Sequence, residues 1–258
     1  MIPTAYITAW SRVAPWPADE QIEQDLVLSR LIIEIANHPE LSDELVFRGG
    51  TWLHKLALPE PLRYSEDLDY VRVSHGPIGP VLDAIRDIGG QLGMDANTDV
   101  GTYPKVRLRA PFESGAGRMR VKIEINTYET SPARPHRRAP YRVDSPWWTG
   151  TADVLTFQLE ELVATKLRAL FQRKKGRDLF DLWLALTVLG LDPAEIVASF
   201  GPYEPDGYTA ERARHGLEEH LADQGFRRDL DPLLRTSPTG YDIDIAAALV
   251  RDELFSRL

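Results

Sequence analysis

The apolar positions divide the chain into a first part that mixes helical and alternating patterns and a later part that is helical. Residues 18–37 place Ile22, Leu26, Leu31, Ile32 and Ile35 near helical spacing. Asn37-His38-Pro39 ends that run, because the residue before a proline is pushed out of helical geometry. Residues 41–46 lead into a glycine turn. Residues 78–93 repeat the helical pattern with Ile78, Val81, Leu82, Ile85 and Ile88 and stop among Gly89, Gly90 and Gly93. The period then changes to two. Lys105-Val106-Arg107-Leu108-Arg109 and the run Arg118 to Asn126 alternate cleanly, and Ser114-Gly115-Ala116-Gly117 between them predicts a hairpin. Met119, Val121, Ile123 and Ile125 form its buried face, leaving Arg118, Arg120, Lys122, Glu124 and Asn126 on the other.

Residues 131–150 break both patterns. Pro132, Pro135, Pro140 and Pro146 predict an irregular linker or flap between two lobes. It holds Arg134, His136, Arg137, Arg138 and Arg142 beside Trp147 and Trp148, a mixture suited either to RNA phosphates and bases or to sealing a lobe interface. Phe157 to Phe171 predicts a long helix with Thr156 as its cap, and Asp178 to Leu186 a second one after a basic break at 172–177. Further breaks fall at Asp192-Pro193, Gly201-Pro202 and Ser237-Pro238, and Ile243, Ile245, Leu249 and Leu254 suit a final packing helix.

One stretch carries chemistry that packing does not require. Residues 47–73 run from Phe47-Arg48-Gly49-Gly50-Thr51 through a short apolar run ended by Pro59 and Pro61. Ser65-Glu66-Asp67-Leu68-Asp69 then leads into a strand. Glycines without a Cβ let backbone N–H groups approach an anion, and a helix starting near Thr51 points its positive end the same way. In a strand, residues i and i+2 face one side about 6.6 Å apart. Asp67 and Asp69 therefore project together and can share hard divalent cations that keep phosphate oxygens in their shell. The plainer alternative is a helix–loop–strand connection with solvated acids.

The absence of cysteine excludes disulfides, thiolate zinc sites and a cysteine nucleophile, and leans towards a reducing cytosol. No apolar run approaches a membrane span, and the amino-terminal residues lack the pattern of a signal peptide. The net charge is −9, yet residues 101–180 hold 16 Lys and Arg against 8 Asp and Glu, with 14 against 31 elsewhere. A basic middle in an acidic protein predicts a local anion site, unless its charges spread over several faces and cancel.

Arg48-Gly49-Gly50-Thr51 followed by Arg63-Tyr64-Ser65-Glu66-Asp67-Leu68-Asp69 resembles the AbiEii/AbiGii (MenT-like) nucleotidyltransferase toxins, of the DNA polymerase β-type superfamily. Glu161, Lys166 and Ala169, then Arg177, Asp178 and Asp181, are similar to the third and fourth motifs of that family, in family order.

The resemblance implies an α/β (α+β) fold. A polymerase β-like nucleotidyltransferase lobe with a small mixed sheet (residues 1–145) is followed by a mostly helical lobe (residues 146–258) that completes the active-site cleft. It implies a bacterial toxin with a cognate antitoxin, acting in the cytoplasm and needing Mg2+ or Mn2+. The expected reaction moves NMP from a pyrimidine NTP to RNA, with the tRNA 3′ end as acceptor. Asp67, Asp69, Lys166 and Asp181 are the implied catalytic residues, and Asp67, Asp69 and Glu124 the metal ligands. Gly49, Gly50, Thr51 and Ser65 receive phosphates, with Arg177 and Asp178 in support. The alternatives are transfer to a protein hydroxyl and a non-catalytic module that binds an antitoxin or nucleic acid. On packing alone, Glu124 would pair with Arg107 or Lys122, and the helical hairpin would be laced by Arg177–Asp181 and Lys174–Asp178 pairs.

Overall fold

In the computed structural model, which describes residues 2–236 and 238–258, the alternating segments join one seven-stranded mixed sheet. Met1, read with the amino-terminal residues, and Ser237, read as part of a helix break, lie outside the described residues. The chain divides into two units: Met1–Thr130 with His136–Phe157, and Ser131–Pro135 with Gln158–Leu258.

The first unit contains α1 (Thr4–Trp10), α2 (Asp19–Asn37), β1 (Leu45–Arg48) and α3 (Gly49–Trp52), which runs into a π-helical turn, Leu53–Ala57. Then come β2 (Asp67–Arg72), α4 (Gly79–Gln91), β3 (Asp95–Asp99), β4 (Lys105–Pro111), β5 (Arg118–Asn126), β6 (Arg137–Asp144) and β7 (Thr149–Thr156). The sheet order is β3-β4-β5-β2-β1-β7-β6. β2 runs parallel to β5 and antiparallel to β1. The predicted 105–126 hairpin is β4 and β5. Met119, Val121, Ile123 and Ile125 are buried with Leu68 and Tyr70, and each such side chain removed from water stabilises by about 1.5–3 kcal/mol. Helices α2 and α4 pack side by side on the sheet. Gly89 lets α4 approach, since a Cβ there would stand 2.5 Å from a Leu108 methyl. The opposite face presents Asp67, Asp69, Lys122 and Glu124.

Asp25, buried on α2, ties the amino-terminal segment to the glycine turn. It accepts hydrogen bonds from the indoles of Trp10 (2.8 Å) and Trp16 (2.9 Å) and pairs with Lys55 of the π-helical turn at 2.5 Å.

Residues 131–150 are not the irregular linker that their prolines predict. Most of them form the β6–β7 hairpin. Pro140 sits on β6, the edge strand, where a missing N–H costs no ladder bond. Trp147 and Trp148 lie at its turn and flank the Arg30 guanidinium, 5.2 and 5.1 Å from their ring centres. Thr156 does not cap the following helix. Its hydroxyl donates to the Phe47 carbonyl at 2.7 Å and joins β7 to β1.

The second unit is helical: α5 (Leu159–Gln172), α6 (Gly176–Thr187), α7 (Pro193–Ala198), α8 (Ala210–Leu221), α9 (Gln224–Arg227) and α10 (Ile243–Val250), with a π-helical turn at Arg251–Phe255. α5 and α6 pack as a hairpin, and α10 lies against α6. Gly176 stands where α6 meets the Phe226 carbonyl, 2.3 Å from where a Cβ would be. Among the described residues no helix is long and apolar enough to cross a membrane.

Candidate active site

Two clusters hold the chemically distinctive residues, one in each unit. In the first unit, β1 delivers Arg48 opposite Asp69, and the chain turns at Gly49 with φ +91°. A Cβ on Gly49 would stand 2.4 Å from Asp69 Oδ2, so the glycine leaves the space the carboxylate uses. Gly50 faces Arg63 and Ser65. A Cβ there would stand 2.4 Å from the Arg63 guanidinium and 3.3 Å from Ser65 Oγ. Thr51 is buried, and its hydroxyl donates to the Asp67 carbonyl while lying 2.8 Å from Ser65 Oγ. It thus joins the glycine turn to the acidic strand. The helix after the turn is α3, a single turn before the π-helical segment.

The strand register sets the carboxylates. Asp67 lies opposite Lys122, and Asp69 opposite Glu124. Lys122 Nζ stands 3.1 Å from Asp67 Oδ2 and 3.5 Å from Glu124 Oε2, and Lys105 stands 4.0 Å from Glu124. Glu124 is therefore on the adjacent strand expected of a third acid, with its carboxylate engaged by two lysines. Arg107 pairs instead with Asp99 at 3.5 Å. Burial would depress the Lys122 ammonium, but Asp67, Glu124 and Asp69 outweigh it and raise its pKa above the usual value. Burial pushes Asp69 up as well, helped by the Asp67 charge, against the pull of Lys122 and Arg48.

Four further residues brace this cluster, of which Glu129 carried no signal in the sequence. Arg48 pairs with Glu129 at 2.5 Å, and Asn126 donates to the other Glu129 oxygen at 2.7 Å. Arg63, almost fully buried, donates to the Tyr64 carbonyl at 3.1 Å beneath Gly50.

The raised Asp69 pKa has a consequence for stability. A carboxyl that holds its proton more tightly folded than unfolded favours folding at low pH. That contribution is lost as pH rises above the ordinary carboxylate range through the folded pKa. Above the ordinary carboxylate range Asp69 therefore costs stability relative to a neutral side chain. Asp69→Asn is expected to gain about 1 kcal/mol, raising Tm by about 2–4 °C. Thermal melts at pH 7.5 and pH 4 check it, and the gain should shrink at the lower pH.

In the second unit, α5 and α6 bring Lys166, Asp178 and Asp181 together. Lys166 Nζ stands 2.7 Å from Asp181 Oδ2 and 3.4 Å from Asp178 Oδ1, and both aspartates are fully buried. Arg173 holds Asp178 from its other side with bonds of 2.7 and 2.8 Å. Arg177 pairs with Asp229 and Lys174 with Asp223, so neither makes the pair expected from helical packing. Glu161, also fully buried, accepts from the N–H groups of Ala133 and Arg134 and from the Tyr203 hydroxyl. It anchors the 131–135 segment on α5.

The basic middle is diluted by pairing. Arg118 binds Asp95, Arg138 binds Asp43 and Arg134 binds Glu195, besides the pairs above.

The residues fit a hard cation in part. Asp67 and Asp69 supply two oxygen donors beside a cradle that any Cβ at Gly49 would fill, a suitable partial shell for an ion completed by phosphate oxygens. Among the described residues no three acidic or histidine side chains are grouped closely enough to hold a metal ion unaided. Lys122 stands in that gap.

Residues 30–251 match the family model described as nucleotidyl transferase AbiEii toxin, type IV toxin–antitoxin system. Among curated proteins no sequence relative is found. The fold resembles MenT4, a nucleotidyltransferase toxin from Mycobacterium tuberculosis H37Rv, with a TM-score of 0.67 at 16% identity over 98% of this chain and 90% of that one. It also resembles JHP933 from Helicobacter pylori, with a TM-score of 0.55 at 16% identity over 93% and 95% of the two chains.

Proposed function

The chain belongs to the AbiEii family of nucleotidyl transferase toxins of type IV toxin–antitoxin systems, and on that premise we propose that it transfers the NMP of a pyrimidine NTP to the 3′ end of tRNA. The observation that carries this reading is the juxtaposition of Asp67 and Asp69 with the positive-φ turn at Gly49. Acids placed there serve a phosphate-bearing substrate and have no packing role.

In the proposed reaction the acceptor hydroxyl oxygen forms a bond to the α-phosphorus, the bond to the β-phosphate oxygen breaks, and pyrophosphate leaves. Mg2+, held by Asp67 and Asp69, would supply charge stabilisation at the α-phosphate. Glu124 completes the carboxylate set. The backbone N–H groups after Gly49 and Gly50 and the Ser65 hydroxyl hold phosphate oxygens, and Thr51 keeps that turn fixed to the strand. Lys166 offsets triphosphate charge as a point cation. Asp181 has no solvent exposure, so the direct contact with the attacking hydroxyl expected of it gives way to a positioning role, holding the Lys166 ammonium at 2.7 Å. Asp178 and Arg177 support these two by fixing the start of α6. The antitoxin is the protein partner that the family supplies, and the cytoplasm is the proposed location.

The test is labelling of total RNA with each of the four NTPs and Mg2+, using wild type and Asp67→Asn. Label from a pyrimidine NTP in tRNA-sized species, absent with the variant, is the expected result. Label confined to protein bands of a lysate would move the acceptor to a protein hydroxyl. NDP instead of pyrophosphate as product would make the enzyme a phosphotransferase.

A further inference from the structure

The lysine within the carboxylate cluster is harder to explain than the carboxylates. A cation on β5 could point to solvent, as the exposed Arg118 and Arg120 of the same face do. Lys122 instead bridges two acids on different strands, Asp67 on β2 and Glu124 on β5. The register makes this unavoidable. Lys122 lies opposite Asp67, and Glu124, two residues on, lies opposite Asp69, so one ammonium meets acids in both rows. Lys105, opposite Glu124 on β4, adds a second positive charge on the far side of that carboxylate.

We propose that Lys122 is the built-in second cation of this site, so that the cluster takes one divalent ion and not two. The inference rests on the reading of Asp67 and Asp69 as metal ligands. Three carboxylates carry three negative charges. One divalent ion with the Lys122 and Lys105 ammoniums already exceeds them by one positive charge, and a second divalent ion would leave an excess of three in a partly buried site. The ammonium also occupies the third acid, which accounts for the lack of a three-acid group among the described residues. Lys122 would then do part of what a second metal does elsewhere. It fixes the orientation of Asp67 and presents a positive charge to a leaving phosphate with no ion to recruit. It acts as a positioning residue for Asp67.

Counting bound Mn2+ tests this directly. Equilibrium dialysis with Mn2+ alone, followed by electron paramagnetic resonance, is applied to wild type, Lys122→Met, Lys122→Arg and Asp67→Asn. Expected are one ion in wild type and in Lys122→Arg, and two in Lys122→Met, with the spectrum of a coupled pair about 4 Å apart. If Lys122→Met does not fold, Lys122→Gln carries the same test. Two ions in wild type, or one in both wild type and the charge-removed variant, overturns the inference and leaves the carboxylate reading standing. No Mn2+ in wild type, with none lost in Asp67→Asn, overturns both.

Discussion

Lys166→Met is expected to lower stability by about 3–5 kcal/mol and to abolish transfer. Lys166 is buried with its ammonium 2.7 Å from Asp181, itself without solvent exposure. Removing the lysine takes the nearest cation from a carboxylate that water cannot reach. Asp178 is less affected, because Arg173 still makes two bonds to it. A second change can relieve part of the loss. Lys166→Met combined with Asp181→Leu removes the buried carboxylate along with its cation and is expected to recover part of the stability, as apolar replacements of buried ion pairs often do. Transfer should stay at background in the double variant. Urea midpoints with parallel transfer assays measure both quantities. Activity returning along with stability would mean that the pair is structural only.

Gly49→Ala should reduce kcat/KM by about 100-fold or more through displacement of Asp69. Two separate costs meet at this position. The backbone has φ +91°, which residues with a Cβ rarely adopt, at a cost of about 1–3 kcal/mol. The added methyl would also stand 2.4 Å from Asp69 Oδ2, on a strand fixed by hydrogen bonds on both sides. Gly50→Ala is the informative comparison. Its Cβ would press on the buried Arg63 guanidinium and not on a carboxylate of the acidic strand, and its φ is ordinary. A smaller loss at Gly50 than at Gly49 is expected in kcat/KM and in Tm. Equal losses would mean that space for Asp69 is not what the first glycine provides.

Elements with long single-period patterns could be read directly from the chain. α4 and the β4–β5 hairpin bury one regular face each, while α2 and α6 are buried more nearly all round, yet in each the apolar spacing is visible without tertiary information. Short or atypical strands could not be read in the same way. β1 is four residues long, too short to display a period. β3, Asp95–Asp99, is polar and mostly exposed at a sheet edge. β6 carries a proline that only its edge position tolerates.

The site followed the same division. Gly49, Asp67 and Asp69 are close in sequence, and local spacing fixes their common direction. The pairing of Lys122 with Asp67 depends on which strands lie side by side, which no local pattern states. The partners of Arg177 and Lys174 are Asp229 and Asp223, tens of residues away, beyond any rule of helical neighbours.

The shared carboxylate of Asp25 gives the protein an intrinsic optical probe. The indoles of Trp10 and Trp16 and the ammonium of Lys55 all converge on it, and Lys55 follows the glycine turn by only a few residues. A ligand that shifts that turn pulls on Lys55 and alters the electric field at both indoles. Their fluorescence should thus report turn movement without an attached dye. A bulky fusion at the amino terminus would strain the same linkage and degrade the signal.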